Sequence, residues 1–362
     1  MFNALPFVSV IIPCRNEEKF IEGCLNSIVG QDYPKENLEV LVIDGISEDK
    51  TQDVVKKFAE KYHFIKLLEN HKKFTPFGLN IGVKNAKGEI IIRMDAHAGY
   101  EKNYISKCLK YLKEYDADNV GGVIKTKPAD NTLISKSIAN SLSSFFGAGS
   151  SYFRIGVKEP KWVDTVFGGC YKRKVFEKIG YFNEKLIRSQ DLEFNLRLKK
   201  AGGKILLVPE IVAYYYPSSN FRDFVRHNFS DGVWVTYPLK FGIRVFKSRH
   251  LISLIFTSGV ILALIFSPFS FLARFLFVLI FGSYLILNLF FSLKIAWREK
   301  ESKFLFILPV VFASRHIGYG LGSLRGFLKI LDRASIHGSE GKEEDKVLFA
   351  EKNDGRKTTK RN

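Results

Sequence analysis

Ile90–Ile91–Ile92–Arg93–Met94–Asp95–Ala96–His97 is the stretch on which the reading of this chain turns. Its β-branched run makes a short buried strand, and the strand ends in two side chains able to hold a cation. In an open parallel α/β sheet, ligands bind in the crevice beyond the carboxyl ends of the strands. An Asp-x-His at such an end stands where polyphosphate and metal chemistry takes place. Side chains two apart in an extended segment project to the same side, so Asp95 and His97 can converge on one ion.

Outward from this strand the chain alternates strand and helix. Val8–Ile12 is a β-branched run; Asn16 then offers a cap to a helix with Phe20, Ile21, Cys24, Leu25 and Ile28 at helical spacing. Leu38–Ile43 is a second strand, Asp44–Lys50 a polar loop, and Val54, Val55, Phe58, Ala59 and Tyr62 form one face of a second helix. Ile65–Leu68 is a third strand. Thr75 as cap and Pro76 at the first helical position start a helix through Leu79, Ile81 and Val83, which leads into Glu89–Met94. This alternation predicts a doubly wound, mostly parallel α/β sheet with right-handed crossovers. Its polar loop ends then gather on one edge. No G-x-G-x-x-G or Walker loop follows the first two strands, which weighs against dinucleotide binding and ATPase activity.

With 362 residues the chain holds a full domain and more. A net charge of +18, from 55 Lys and Arg against 37 Asp and Glu, favours anionic partners: a lipid surface, a nucleotide or nucleic acid. The 46% hydrophobic content with 33 Phe leans towards membrane contact. Cys14, Cys24, Cys108 and Cys170 are scattered without a C-x-x-C pair, which speaks against a zinc site or disulfide framework. A reduced, cytosolic globular part is the simplest reading. Met1–Pro6 has no basic segment leading into an apolar run, so no secretory leader is expected.

The loop ends carry Cys14–Arg15–Asn16–Glu17, Asp44–Gly45–Ile46–Ser47–Glu48–Asp49 and Asp95–Ala96–His97. Together with Asp164–Thr165–Val166–Phe167–Gly168–Gly169–Cys170–Tyr171 and Ser189–Gln190–Asp191–Leu192–Glu193, they resemble the successive motifs of inverting glycosyltransferase family 2, with the GT-A fold. The likeness covers about the first two thirds of the chain and is nearest to succinoglycan-type exopolysaccharide glucosyltransferases. It implies that Pro13, Arg15, Glu17, Asp44 and Asp95 contact a donor nucleotide, with Glu17 and Asp44 on ribose and base. It implies that Asp95 and His97 hold a divalent cation, Mn²⁺ or Mg²⁺, beside the donor diphosphate. The family's usual form is Asp-x-Asp; imidazole in place of the second carboxylate suits Mn²⁺ better than Mg²⁺.

Inverting transfer needs a carboxylate that takes the acceptor hydroxyl's proton as it attacks the anomeric carbon. The resemblance implies Asp191 as that base, with Gln190 standing where the family has Glu and with Glu193 next in line. Gly168, Gly169 and Glu193 would flank the acceptor and donor sugar. Each position has a plainer alternative: Asp44 caps a turn, His97 bonds a local backbone group, Asp191 caps the helix it opens, and the two glycines make a tight turn.

After Pro217 the character changes. Asn220–Tyr237 carries Phe221, Phe224, Val225, Phe229 and Val233 on one helical face with Arg222, Arg226 and His227 between, which suits an interfacial amphipathic helix or a buried core helix. The Gln-x-x-Arg-Trp of the wider family's processive synthases is absent, so processive polymerisation is not expected. Leu251–Ala273 and Phe275–Leu293 are uncharged and each of a length to span a bilayer, with Pro268 and Arg274 at the hinge of a hairpin. Lys240, Arg244, Lys247 and Arg249 precede the hairpin; Lys294, Arg298, Lys300 and Lys303 follow it. The positive-inside rule puts both flanks in the cytoplasm.

The third apolar stretch, 304–327, is interrupted by Arg315 and His316 and by Gly318, Gly320 and Gly322, which fits a re-entrant segment better than a third helix. Residues 331–362 are polar without periodicity and read as a disordered tail. The expected organisation is a cytoplasmic catalytic domain over 1–217, an interfacial segment over 218–249, a membrane region over 250–330 and the tail. The expected activity is a multi-pass, membrane-anchored transfer from a nucleotide-diphosphate sugar, UDP-sugars favoured, to a lipid-linked or glycan acceptor. A polyprenyl-phosphate sugar transferase and a non-catalytic membrane scaffold are the alternatives. The basic residues sit beside apolar spans where lipid accounts for them, and no recognition motif points to nucleic acid.

Overall fold

A computed structural model of the chain describes residues 5–246 and 248–331. It divides into two compact units, Met1–Ser219 with Tyr284–Phe312, and Asn220–Ser283 with Ala313–Asn362. The tail expected over 331–362 lies, from 332 on, outside the described residues, as do Met1–Ala4.

The first unit is built on one sheet of β1 (Val8–Cys14), β2 (Leu38–Asp44), β3 (Ile65–Glu69), β4 (Ile90–Arg93), β5 (Ala98–Tyr100), β6 (Asn119–Thr126), β7 (Lys161–Trp162), β8 (Cys170–Lys172) and β9 (Ile205–Tyr215). The order is β3-β2-β1-β4-β8-β6-β9-β5, with β7 paired to β9. β1 pairs parallel to both β2 and β4, β2 to β3, and β6 to β9. β8 enters antiparallel between β4 and β6, and β5 and β7 lie antiparallel on β9. The expectation of a mostly parallel sheet holds, and the short antiparallel strands are additions that no apolar run marks in the sequence. The chain winds outward from β1 to β3 and then returns to place β4 on the other side of β1. The sheet thus has its switch point at β1/β4, and Arg15–Glu17 and Asp95–His97 leave the sheet there.

Helices cover both faces: α1 (Ile21–Val29), α2 (Thr51–Lys61), α3 (Thr75–Asn85), α4 (Tyr104–Glu114), α5 (Leu133–Ser143), α6 (Phe145–Ala148), α7 (Tyr152–Ile155), α8 (Arg173–Ile179) and α9 (Gln190–Lys200). Alternate strand residues feed two cores. Val8, Val10 and Ile12 pack with Ile21, Leu25 and Ile105 on one face. Ile11, Leu41 and Ile43 pack with Leu79, Val83 and Phe194 on the other. α3 approaches β1 so closely that a Cβ at Gly82 would stand 2.4 Å from Ile11 Cγ2, so only glycine lets the helix settle on the strands. Two expected caps are not used. Phe74 precedes α3 without a side-chain cap, leaving Pro76 in the first turn, and Phe20 precedes α1. Asn16 is spent on the loop described below.

The first unit also takes in Tyr284–Phe312, the C-terminal part of α12 (Phe271–Glu299) and the N-terminal part of α13 (Phe304–Leu331). Phe146 of α6 stacks on Phe291 at 5.0 Å and meets Phe312 edge-on at 5.0 Å, within a cluster with Ile295, Phe304 and Leu308.

The second unit holds α10 (Phe221–Thr236), α11 (Ser248–Phe266) and the remaining parts of α12 and α13. Asn220 caps α10 through its Oδ1, as its side chain allows. The hairpin turn falls at 267–270 and contains Pro268, while Arg274 lies inside the first turn of α12. The stretch read as re-entrant or helical is one continuous helix of 28 residues, α13. Its charge is accommodated because Arg315 Nη1 donates to Asn228 Oδ1 at 2.8 Å. Its glycines are contact points: a Cβ at Gly322 would stand 2.0 Å from Phe229 O, and one at Gly320 2.0 Å from Thr257 Oγ1. α10 is thus a packed helix, with Phe224, Asn228 and Val233 to Thr236 buried.

Candidate functional site

The site is assembled from the loops after β1, β2 and β4 and from the start of α9. Two of those loops are stitched together. Asn16, at a φ of 54°, donates its backbone N–H to Ser47 Oγ at 2.9 Å, while its Oδ1 accepts from the Glu48 N–H at 2.9 Å. The Glu17 N–H donates to Thr51 Oγ1 at 2.7 Å. A positive φ is tolerated by Asn, whose short polar side chain bonds locally. The stitching turns Glu17 towards β4, where its Oε1 lies 3.4 Å from His97 Nδ1. Glu17 Oε2 is buried and has no hydrogen-bond partner among the described residues.

Arg93 ends β4, and its guanidinium meets Asp95, two residues further along the chain. The Arg93 guanidinium is 11% exposed; Nη2 donates to Asp95 Oδ1 at 3.0 Å and Nη1 lies 3.4 Å from Asp191 Oδ2. Burial pushes the Asp95 carboxyl up, but Arg93, His97 and Arg154 together outweigh it and hold the pKa below the ordinary carboxylate range. Asp95 is therefore an anion at neutral pH. Burial likewise opposes the charge on Arg93, and the two carboxylates overcome it.

Asp191 stands in the first turn of α9, behind Ser189, which holds a left-handed φ of 60°. Its Oδ1 accepts from the Leu192 N–H at 2.8 Å, and its side chain is 38% exposed. The cap-like contact and the open face coexist. Glu193 is placed elsewhere. Both its oxygens are taken by Arg197, at 2.9 and 3.0 Å, and Arg197 also ties down the carbonyls of Ile179 and Tyr181. Two positions along a helix put Glu193 on another face from Asp191, where the pair with Arg197 ties α9 to the Ile179 and Tyr181 carbonyls.

Asp44 is fully buried and committed to its own loop. It accepts from the Ser47 N–H at 2.8 Å, from Ser47 Oγ and from Gln52 Nε2 at 2.7 Å. These are the contacts of the turn-forming alternative, and they fix the loop that carries Asp44 at the carboxyl end of β2. Arg15 lies along that loop, with Nη2 3.4 Å from Glu48 Oε1 and Nε buried without a hydrogen-bond partner among the described residues. Pro13 lies in β1, where a Cβ on Gly78 would come within 3.4 Å of it. Gly168 and Gly169 have φ of 66° and 112°, and Gly169 O accepts from the Arg93 N–H at 2.9 Å. A Cβ at Gly168 would stand 2.6 Å from Arg93 O, so these glycines serve close packing against β4.

Among the described residues no group of three His, Cys, Asp or Glu side chains is gathered as a metal cage. Asp95 and His97 supply a carboxylate and an imidazole, donor types that a divalent cation takes. Three residues were not singled out by sequence. Arg93 sat within the opening stretch, and its position two before Asp95 on a strand was the signal. Arg154, from α7, lies 5.2 Å from the centre of the Tyr215 ring, and His97 meets the same ring edge-on at 5.4 Å. Neither Arg154 nor Tyr215 carries a local sequence signal, because α7 and β9 reach the site from far along the chain.

Residues 9–180 match the family described as Glycosyl transferase family 2. The dolichyl N-acetyl-alpha-D-glucosaminyl phosphate 3-beta-D-2,3-diacetamido-2,3-dideoxy-beta-D-glucuronosyltransferase of Methanococcus voltae is 37% identical over 235 residues, 62% of this chain and 72% of that protein. The succinoglycan biosynthesis protein ExoA of Rhizobium meliloti is 25% identical over 247 residues, 64% of this chain and 74% of that protein. The structure of mannosyltransferase PcManGT from Pyrobaculum calidifontis, in complex with GDP-Man and Mn²⁺, superposes with a TM-score of 0.62 at 19% identity, covering 90% of this chain and 88% of that one. That likeness is one of fold. The matched region contains the switch point at β1/β4 and every loop end of the site except the start of α9, and with these similarities it identifies the chain as a member of glycosyltransferase family 2, a glycosyltransferase with the GT-A fold.

Proposed function

We propose that the chain is a membrane-anchored inverting glycosyltransferase that moves a sugar from a nucleotide-diphosphate donor to a lipid-linked acceptor. The observation that carries this reading is the buried Arg93 guanidinium, which holds Asp95 and Asp191 on one support at the switch point of the sheet. Asp95 and His97 face the donor diphosphate, and Asp191 faces the acceptor. Asp191 accepts the acceptor hydroxyl's proton as that oxygen bonds to the anomeric carbon; the bond from this carbon to the diphosphate oxygen breaks and its electron pair leaves with the diphosphate. Arg93 orients both carboxylates, and Glu17 fixes the His97 ring. A divalent cation, when bound by Asp95 and His97, neutralises charge on the departing diphosphate.

The acceptor class draws support from the M. voltae relative, whose name specifies a dolichyl-linked acceptor. Membrane attachment draws support from α12 and α13, two helices long and apolar enough to cross a bilayer, with a shorter apolar helix over His250–Phe266. The basic flanks of the hairpin favour a cytoplasmic catalytic unit in a multi-pass arrangement. Exopolysaccharide or cell-surface glycan synthesis is the setting that ExoA suggests. Membranes containing the full chain, offered a panel of UDP- and GDP-sugars with a polyprenyl-linked acceptor, are expected to release one nucleoside diphosphate only when donor and acceptor are both present. Absence of release over the whole panel contradicts the reading.

A further inference from the structure

Arg154 is a cation beside the site whose side-chain contacts among the described residues are aromatic rings. Arg93 is committed to two carboxylates and Arg15 reaches Glu48, whereas Arg154 makes no ion pair among the described residues. Its Nη1 is buried with no hydrogen-bond partner among them. A buried donor without a partner is costly unless something else meets it. Its position is set by Tyr215: the guanidinium lies over one ring whose edge region His97 also touches, which puts it on the Asp95–His97 side of the site.

The backbone is built for this placement. α7 lies between Gly149 and Gly156, with φ of 57° and 86°, where a Cβ would meet nothing within 4 Å. Glycine is needed there for the turn and not for space, so the four-residue helix is bounded by two sharp bends. A planar fork of donors beside a carboxylate and an imidazole calls for an anion with several oxygens.

We propose that Arg154 binds the donor's diphosphate at its distal phosphate, holding this leaving group against the Asp95–His97 corner. The inference rests on the reading of the site as a nucleotide-sugar site. Binding of UDP and UMP, and of GDP and GMP, to the purified full chain in detergent with Mn²⁺ tests it by calorimetry. For the base that the wild-type chain accepts, Arg154→Gln is expected to weaken the diphosphate by about ten- to a hundredfold and to leave the monophosphate unchanged. Arg154→Lys, which keeps charge and loses the fork, falls between. Equal weakening of both nucleotides assigns Arg154 to the framework and overturns the proposal, as does an unchanged diphosphate affinity. If the wild-type chain binds no nucleotide, the functional reading itself falls and the proposal with it.

Discussion

Arg93 Nη1 lies 3.4 Å from Asp191 Oδ2, while Nη2 of the same guanidinium donates to Asp95. A residue of β4 and a residue of α9, 98 positions apart in sequence by their numbers 93 and 191, are thereby fixed relative to one another. The proposed base and the proposed diphosphate corner share one support, and that relation yields the first prediction. Arg93→Met removes the support and leaves Asp95 buried and unpaired. Stability is expected to fall by about 3 kcal/mol, the scale for stranding one member of a buried ion pair. Turnover is expected to fall by about a hundredfold, the cost of misplacing reacting groups by an ångström. Denaturant unfolding and sugar release measured on the same preparation check both. Wild-type turnover in a destabilised protein would separate Arg93 from the chemistry.

Glu193 provides a contrast within the same helix. Glu193→Gln breaks the paired contact with Arg197 and is expected to cost about 0.5–1 kcal/mol. Its turnover is expected to stay close to wild type, because both its oxygens are engaged by Arg197. A loss of turnover as deep as that of an Asp191 variant would return Glu193 to the catalytic set.

Cation dependence follows from His97. In chelator the wild-type chain is expected to lose turnover and to regain it with Mn²⁺, whereas His97→Ala is expected to need far more Mn²⁺ for the same rate. Undiminished turnover of His97→Ala in chelator would remove the cation from this corner.

The cysteines give a pH prediction. Burial pushes the thiols of Cys14, Cys24 and Cys108 well above the ordinary range, with nearby acidic groups or Cys170 adding to the effect. The folded chain therefore keeps these protons while the unfolded chain releases them near pH 8.5. The unfolded state binds fewer protons above that pH, so stability falls as pH rises, by up to about 1.4 kcal/mol per pH unit for each thiol. Unfolding midpoints measured from pH 8 to 10 are expected to decline, with a shallower slope in Cys24→Ala. The native thiols are also expected to resist an aromatic disulfide reagent until denaturant is added.

Much of this architecture was legible because the strands of the first half are continuous apolar runs and their loop ends are polar. Alternation of strand and helix predicts the parallel sheet, and its order β3-β2-β1-β4 comes from the pairings in the fold. β5, β7 and β8 were not legible: three or two residues of strand carry no period, and their pairing is decided by tertiary context. Asn16 looked like a helix cap because cap and turn use the same side-chain chemistry, and only the contact with Ser47 and Glu48 across the β2 loop distinguishes them. The charges and glycines of α13 looked like interruptions until Asn228 and the backbone of α10 supplied their partners. In the proposed site, Asp95, His97, Glu17 and Asp191 lie in motifs visible in the sequence, whereas Arg154 is brought beside Tyr215 only by the fold.

Asp191→Asn tests the central claim most directly, since it removes the proton acceptor and preserves size. Donor binding and sugar transfer should be measured on the same full-length preparation. The account predicts donor affinity near that of the wild type and transfer reduced by about a thousandfold, within the range for loss of a general base. Transfer at the wild-type rate with Asn at this position would contradict it.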